Sequence, residues 1–407
     1  MTEPMERQDG EGTARPPDRA GETRGLAALV LAAGMSSRMR QLKPLLPFAG
    51  STVLERAVHT FLDAGVEDVT VVIGHQGERF RPVLDALGVR WVVNPDFRQG
   101  MYSSVLAGMS ALAPGVEGTF ILPADMPAVR SLTVELVAHV FRGSGAAVVY
   151  PMFRGRRGHP PLIARRLFAA IVGGAGEGGL QQLLARHDEE ACAVRVLDEG
   201  VVLDLDTRAD YEAARASFGD RSVPSPGECL ELLSELGVPD PVVRHGRAVA
   251  EVGGRIARAL GRAGLALDIG LVETAGLLHD LAKGKPDHAA EAGQLLASLG
   301  FPRVAEVVAA HTDLPSGGRE PLDEPALVFL ADKLVQGERI VSLEDRFEAA
   351  LERFSGSPAL RAAVERRRAA AAAVVKSVER ALGAGAVGRL AAHPAGRRAA
   401  RRSRVHA

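Results

Sequence analysis

The 407-residue chain is short of cysteine, aromatic residues and net charge, and it has no long apolar run. Each shortage excludes something. Cys192 and Cys229 are too few for a disulfide framework and badly spaced for a zinc site, so free thiols are expected. A formal net charge of -1 removes the excess of Lys and Arg from which a general nucleic-acid binder draws its affinity, and no specific nucleic-acid partner is expected. The apolar stretches fall well short of the ~20 residues that cross a bilayer, and the N-terminus has no apolar signal-peptide core. No membrane partner is expected, and the cytoplasm is the default location. With aromatics at 4%, the core must be mainly aliphatic.

What remains, 46% hydrophobic and 24% charged, suits a soluble globular protein, and the length suggests two or three domains. Residues 1–24 are polar, aperiodic and too poor in apolar surface to offset the entropy of ordering, so a disordered tail is expected. Residues 25–217 alternate short apolar strands (26–32, 69–73, 90–93, 119–122, 146–150) with amphipathic helices. Thr52 and Glu55 have capping-box spacing, Pro82 falls in the first turn of a helix over 79–87, and Gly100, Ser103 and Ser104 introduce a helix over 105–112. This alternation predicts an α/β domain of Rossmann-like, three-layer form, with a mostly parallel sheet and a ligand at the strands' carboxyl ends. Gly34, Asn94 and Asp125 fall at such ends.

The first of these ends is the most informative. LVLAAGMSSRMRQLKP (29–44) runs from an apolar strand into a loop where Gly34, Ser36 and Ser37 let backbone N–H groups approach an anion and Arg38 and Lys43 add positive charge. It matches neither common phosphate-loop pattern. Asp125 ends another strand, and the alternation in VVLDLD (201–206) places Asp204 and Asp206 on one strand face. Carboxylates beside a triphosphate site suit magnesium.

Taken together, these strings resemble the MobA-like nucleotidyltransferases, in particular the molybdenum cofactor cytidylyltransferase branch. The resemblance covers about residues 26–217 and rests on LAAG-x-S-x-R-M…K-P, the G-M-x-S-S-x-x-x-G of 100–108, Gly158-His159-Pro160, and DLDTRAD, which departs from the family's D-I-D-T-P-E-D at Arg208. A second departure is Arg40, where Gly is usual. The resemblance implies Mg2+-dependent transfer of CMP from CTP to a molybdopterin-type cofactor, with a molybdoenzyme as a partner for the product. Leu31, Ala32, Ala33, Gly34, Ser36, Ser37, Arg38, Lys43, Asn94, Gly100, Ser103 and Ser104 would bind nucleotide, and Gly158, His159 and Pro160 the acceptor. Arg38, Lys43 and Asp125 would be catalytic, with Asp125, Asp204 and Asp206 holding the metal. Transfer to a sugar or alcohol phosphate, or a non-catalytic carrier role, stays open.

After a linker at 218–227 the strands vanish, and residues 228–382 show helical periodicity, predicting an all-α domain before a basic disordered tail at 383–407. His279 and Asp280 interrupt an apolar helix, where an adjacent imidazole and carboxylate are costly unless they bind something. The order His245, His279-Asp280, His288, His311, Asp332 resembles the HD-domain phosphohydrolases. That likeness implies Fe, Mn or another divalent metal, one or two ions. His245, His279, Asp280 and Asp332 would hold the first and His288 and His311 would serve a second, with Lys283 facing a substrate phosphate.

Overall fold

The computed structural model describes residues 21–34, 42–174, 178–219, 221–314 and 322–392. Ser36, Ser37 and Arg38 therefore lie outside the described residues, as do Arg40 and positions 1–20 and 393–407 of the two expected tails. The chain forms two compact units, residues 1–211 and 212–407. No helix among the described residues is long and apolar enough to cross a membrane.

The first unit is a sheet between two helical layers. β1 (Leu26–Ala32) leads through a small hairpin, β2 (Pro47–Phe48) and β3 (Ser51–Thr52), into α1 (Val53–Leu62). Then come β4 (Asp68–Ile73), α2 (Arg81–Leu87), β5 (Arg90–Val93), α3 (Met101–Met109), β6 (Gly118–Pro123) and α4 (Ser131–Ser144). β7 (Val148–Phe153), β8 (Arg156–Arg157), β9 (Leu162–Ala164), α5 (Phe168–Gly173), α6 (Gly179–Ala185) and β10 (Ala191–Arg195) follow, and α7 (Arg208–Phe218) runs through the division at 211. Among the described residues the main sheet has strand order β10-β7-β9-β6-β1-β4-β5, with β8 added to β7; its antiparallel pairings are those of β8 with β7 and of β9 with β6 and β7.

β1 is uncharged because both of its faces are covered. Leu26, Ala28 and Val30 pack with α1, α2 and α4, whereas Leu29 and Leu31 pack with α3, α5 and α6. The capping box at α1 is present in full: the Glu55 N–H donates to Thr52 Oγ1 at 3.2 Å, and the Thr52 N–H to Glu55 Oε2 at 2.6 Å. Two local expectations fail. α3 begins at Met101 rather than Val105, because Gly100, at φ 98°, makes the entry turn alone and the two serine hydroxyls lie inside the first turn. Residues 203–206 form no strand. The segment is tied at its centre by the Leu205 N–H donating to the Asp125 carbonyl at 3.1 Å, with Leu205 itself fully buried.

The second unit comprises α8 (Pro226–Glu235), α9 (Asp240–Arg262), α10 (Ile269–Leu278), α11 (His288–Ser298), α12 (Pro302–Ala309), α13 (Glu324–Lys333), α14 (Leu343–Arg353), α15 (Pro358–Leu382) and α16 (Ala386–Ala392). The expected absence of strands is corrected by a hairpin, β11 (Val335–Gln336) with β12 (Arg339–Ile340). The expected linker is shorter than 218–227, since α7 includes Phe218 and Ser225 caps α8 through a second capping box. The expected tail at 383–407 includes α16, which buries Ala386, Val387 and Ala391 and so has an apolar face to pack. His279 and Asp280 do not interrupt a helix; they follow the last residue of α10.

Two candidate functional sites

The first site lies at the carboxyl ends of β1 and β6, beside the start of α3, where a cavity of about 330 Å3 is lined by Ala33, Gly34, Lys43, Gly100, Ser104 and Asp125 among others. Leu31 and Ala32 also reach it. Lys43 opens a 3-10 turn and is buried, so its charge needs a partner. Its Nζ donates to Asp125 Oδ2 at 3.0 Å and lies 3.7 Å from Asp206 Oδ1. Two carboxylates brought from sequence positions 81 residues apart thus share one cation. Asn94 is also buried and lies behind the lining residue Ser104, its Nδ2 donating to Ser103 Oγ at 2.9 Å and Ser104 Oγ at 3.0 Å. Ser103 Oγ in turn donates to the carbonyl of Gly100 at 2.8 Å. These residues fix the N-terminus of α3, whose amides face the cavity end of the helix.

Gly158, His159 and Pro160 belong to the β8–β9 connection. The His159 N–H donates to the Val201 carbonyl at 2.8 Å, and a Cβ on Gly158 would stand 2.3 Å from that same oxygen, so only glycine permits the approach. Burial lowers the His159 pKa, partly opposed by the charges of Asp125 and Asp204. Leu205 therefore separates two carboxylates with different neighbours, Asp206 beside Lys43 and Asp204 beside His159.

Sequence reasoning missed the residue that fastens this segment. Asp198, 1% exposed, accepts from the Arg130 N–H at 2.8 Å, Thr133 Oγ1 at 2.7 Å and the Gly200 N–H at 3.0 Å. Its signal was the turn string Asp198-Glu199-Gly200.

The second site gathers all six residues of the helical unit expected to bind metal. His279 follows α10 and His311 follows α12, and each donates Nδ1–H to the carbonyl three residues back, Gly276 at 2.8 Å and Val308 at 2.7 Å. These carbonyls are the ones a helix end leaves without partners, so the same local device twice turns an imidazole Nε2 inward. His245, on α9, has Nδ1 on the Gly337 carbonyl at 2.9 Å and Nε2 3.2 Å from Asp332 Oδ1. Asp280 divides its oxygens. Oδ2 lies 3.5 Å from His279 Nε2 and 3.8 Å from His245 Nε2; Oδ1 lies 3.5 Å from His288 Nε2 and 3.9 Å from His311 Nε2. Two ligand groups, His245-His279-Asp280 and Asp280-His288-His311, consequently share one carboxylate. Lys283 Nζ donates to Asp280 Oδ2 at 2.5 Å.

Charges within the cluster act on one another. Burial disfavours the charged form of His279, but Asp280 and Asp332 outweigh it and raise the pKa to about 9. Burial would raise Asp280 and Asp332; the hydrogen bonds and charges of His279 and Lys283 for the one, and the Lys333 and His279 charges with a hydrogen bond from His245 for the other, hold both well below the usual carboxylate range. Burial and the His279 charge push His311 down to about 4. His279 Nε2 is buried without a hydrogen bond, as expected of a nitrogen placed for a ligand other than protein. The imidazole–carboxylate set therefore fits a divalent metal. Lys333 was missed as well: buried beside Asp332, it donates to Asp332 Oδ2 at 2.7 Å. A lysine ending the apolar helix ALVFLADK was its signal.

A mostly parallel sheet carrying paired carboxylates and a buried lysine at its strand ends, joined to a helical His/Asp centre, defines a nucleotidyltransferase with an HD domain. The chain belongs to the MobA-like NTP transferase family, whose domain matches residues 28–191, and an HD domain matches 242–337. It is 26% identical to the molybdenum cofactor cytidylyltransferase of Escherichia coli (strain K12) over 191 residues, covering 47% of this chain and 95% of that protein. It is also 31% identical to the nicotine blue oxidoreductase of Paenarthrobacter nicotinovorans over 190 residues, 45% of this chain and 92% of that one. The solved structure of Rv0371c from Mycobacterium tuberculosis H37Rv covers 47% of this chain and 97% of its own, with 26% identity and a TM-score of 0.43. The HD domain implies divalent-metal binding.

Proposed function

We propose that the first unit is a Mg2+-dependent CTP:molybdenum cofactor cytidylyltransferase and the second a divalent-metal phosphohydrolase, both acting in the cytoplasm. The observation that carries the first reading is the convergence of Asp125 and Asp206 on the Lys43 ammonium. Carboxylates close enough to share one cation fit a magnesium ion, with Asp204 at the edge. In the reaction, a phosphate oxygen of the pterin-type acceptor forms a bond to the α-phosphorus of CTP, the bond from that phosphorus to its β-bridging oxygen breaks, and pyrophosphate leaves. Bound magnesium would screen the phosphate charges. Lys43 holds the carboxylates and meets the triphosphate, the α3 amides behind Gly100 and Ser104 receive the nucleotide, and His159 positions the acceptor. Ser36, Ser37 and Arg38 take their nucleotide roles from the family likeness alone. The name of the Escherichia coli relative supports CTP and the pterin acceptor.

The test is pyrophosphate release with Mg2+ and CTP, GTP, ATP or UTP in turn, with and without molybdopterin cofactor, and Asp125→Ala as control. Release confined to CTP plus cofactor and lost in the variant is expected. Release with a sugar or alcohol phosphate instead would replace the acceptor, and CTP binding without release would leave a carrier.

For the helical unit, His245, His279, Asp280 and Asp332 would hold one ion and His288 and His311, with Asp280, a second. Such ions make a bound water nucleophilic. Loss of metal content in His279→Ala, measured on the intact protein, tests this assignment.

A further inference from the structure

The cavity beside the imidazole cluster, about 530 Å3, is lined by more cations than carboxylates. Asp280 and Asp332 supply its negative charge; Lys283, Lys333 and Arg346 supply the positive. Lys333 is committed. Its Nζ binds Asp332 Oδ2, lies 3.5 Å from the His311 carbonyl and stands 4.8 Å over the Phe329 ring, so it positions a carboxylate and has no reach to spare.

Arg346 is held differently. It sits in the first turn of α14, and Nη1 donates to the Val335 carbonyl at 3.1 Å. That single tether orients the guanidinium at the cavity wall and leaves most of its five N–H donors for another acceptor. Lys283 comes from a separate element, the turn after α10, and its side chain is 53% exposed, so its ammonium can exchange Asp280 for a ligand oxygen. A half-enclosed cavity with excess positive charge concentrates anions, and a divalent ion at the cluster increases that excess. A planar guanidinium donates two parallel hydrogen bonds to a phosphate, and the terminal group of a monoester or diphosphate offers three oxygens and about two charges where a diester offers two oxygens and one charge.

We propose that Arg346 and Lys283 form a phosphate clamp beside the imidazole–carboxylate cluster, selecting a doubly charged terminal phosphate, as in a phosphate monoester or a diphosphate, over a phosphodiester. The clamp rests on the reading of the helical unit as a metal-dependent phosphohydrolase. It adds to that reading Arg346 as the partner of Lys283, and the charge state the two select.

The experiment is calorimetric titration of the full-length protein, with and without Mn2+, by inorganic phosphate and by dimethyl phosphate, in wild type, Arg346→Met and Arg346→Lys. Wild type is expected to bind phosphate about tenfold or more tightly than dimethyl phosphate, and Arg346→Met to lose about tenfold in phosphate affinity with Mn2+ uptake unchanged. Arg346→Lys keeps the charge without the fork and should recover part of the loss; it also serves if the methionine variant does not fold. Unchanged phosphate affinity in both variants, equal affinity for the two probes, or no phosphate binding by the wild type overturns the clamp. An Arg346 that only tethers α14 would lower the melting temperature and leave phosphate affinity alone. Failure of the wild type to take up Mn2+ would count against the phosphohydrolase reading, and the metal-free titrations would still decide the clamp.

Discussion

Asp198 touches no expected substrate group, yet the first site depends on it. Its carboxylate is buried and accepts from the Gly200 N–H within the turn 198–202 and from the Arg130 N–H and Thr133 Oγ1, which pin that turn to the start of α4. That turn presents the Val201 carbonyl to the His159 N–H and feeds the segment whose Leu205 N–H binds the Asp125 carbonyl. Asp198→Ala removes charge-assisted bonds worth about 1.5–3 kcal/mol each, but neighbours in one network do not add, so about 3 kcal/mol is expected for the whole. Asp198→Asn keeps one acceptor oxygen and should lose about 1–2 kcal/mol. Hydrogen exchange read by mass spectrometry is the assay. For the alanine variant, about 3 kcal/mol of lost local stability corresponds to roughly 100-fold faster exchange at the His159 and Leu205 amides, with β1 amides unchanged. CTP affinity should hold while turnover falls, because the nucleotide cavity is built from other segments. Unaltered exchange at His159 and Leu205 would refute the claim that Asp198 fastens this segment.

Three further outcomes are expected. Lys43→Met, which leaves Asp125 and Asp206 without their shared ammonium, should lower CTP-dependent pyrophosphate release by about 100-fold or more; a change within about threefold would remove Lys43 from the catalytic set. Gly158→Ala puts a Cβ 2.3 Å from the Val201 carbonyl oxygen and 2.7 Å from Val201 Cγ2. The backbone must then move, costing about 1–3 kcal/mol, and an unchanged melting temperature would contradict the packing. In EDTA, His279 has a folded pKa of about 9 against the ordinary 6.5. The folded form binds the extra proton, so its contribution is full below 6.5 and is lost as pH rises through about 9. The metal-free melting temperature should fall across that window, by the equivalent of about 1–3 kcal/mol. His311, held down near 4, has finished titrating there, and a flat profile would contradict the charge coupling within the cluster.

Much of this was legible in the chain because it is local. The uncharged run 26–32, the Thr52–Glu55 capping box and the helical repeats beyond residue 228 each express a period or a spacing that the backbone must obey. His279 and Asp280 could be named because an imidazole and a carboxylate are costly in apolar surroundings, and the rest of the metal set came from the likeness to HD-domain phosphohydrolases. Where periodicity competed with tertiary contacts it misled. VVLDLD alternates like a strand, but its amides find the Asp125 carbonyl and a turn instead of a ladder, and α16 forms within an expected tail because three of its side chains find a buried surface.

The sequence by itself determined which residue types stand at strand ends and helix ends, since pattern and chemistry are written along one dimension. Only the tertiary structure decided which of them meet. Lys43 meets Asp125 and Asp206 from distant stretches of chain, Asp280 faces four imidazoles from four segments, and Asp198 ties its own turn to the start of α4, which it reaches only through space. The physical reason is that the strength of a charge pair or a buried hydrogen bond depends on distance and on exclusion of water, and both are set by packing rather than by position in the chain.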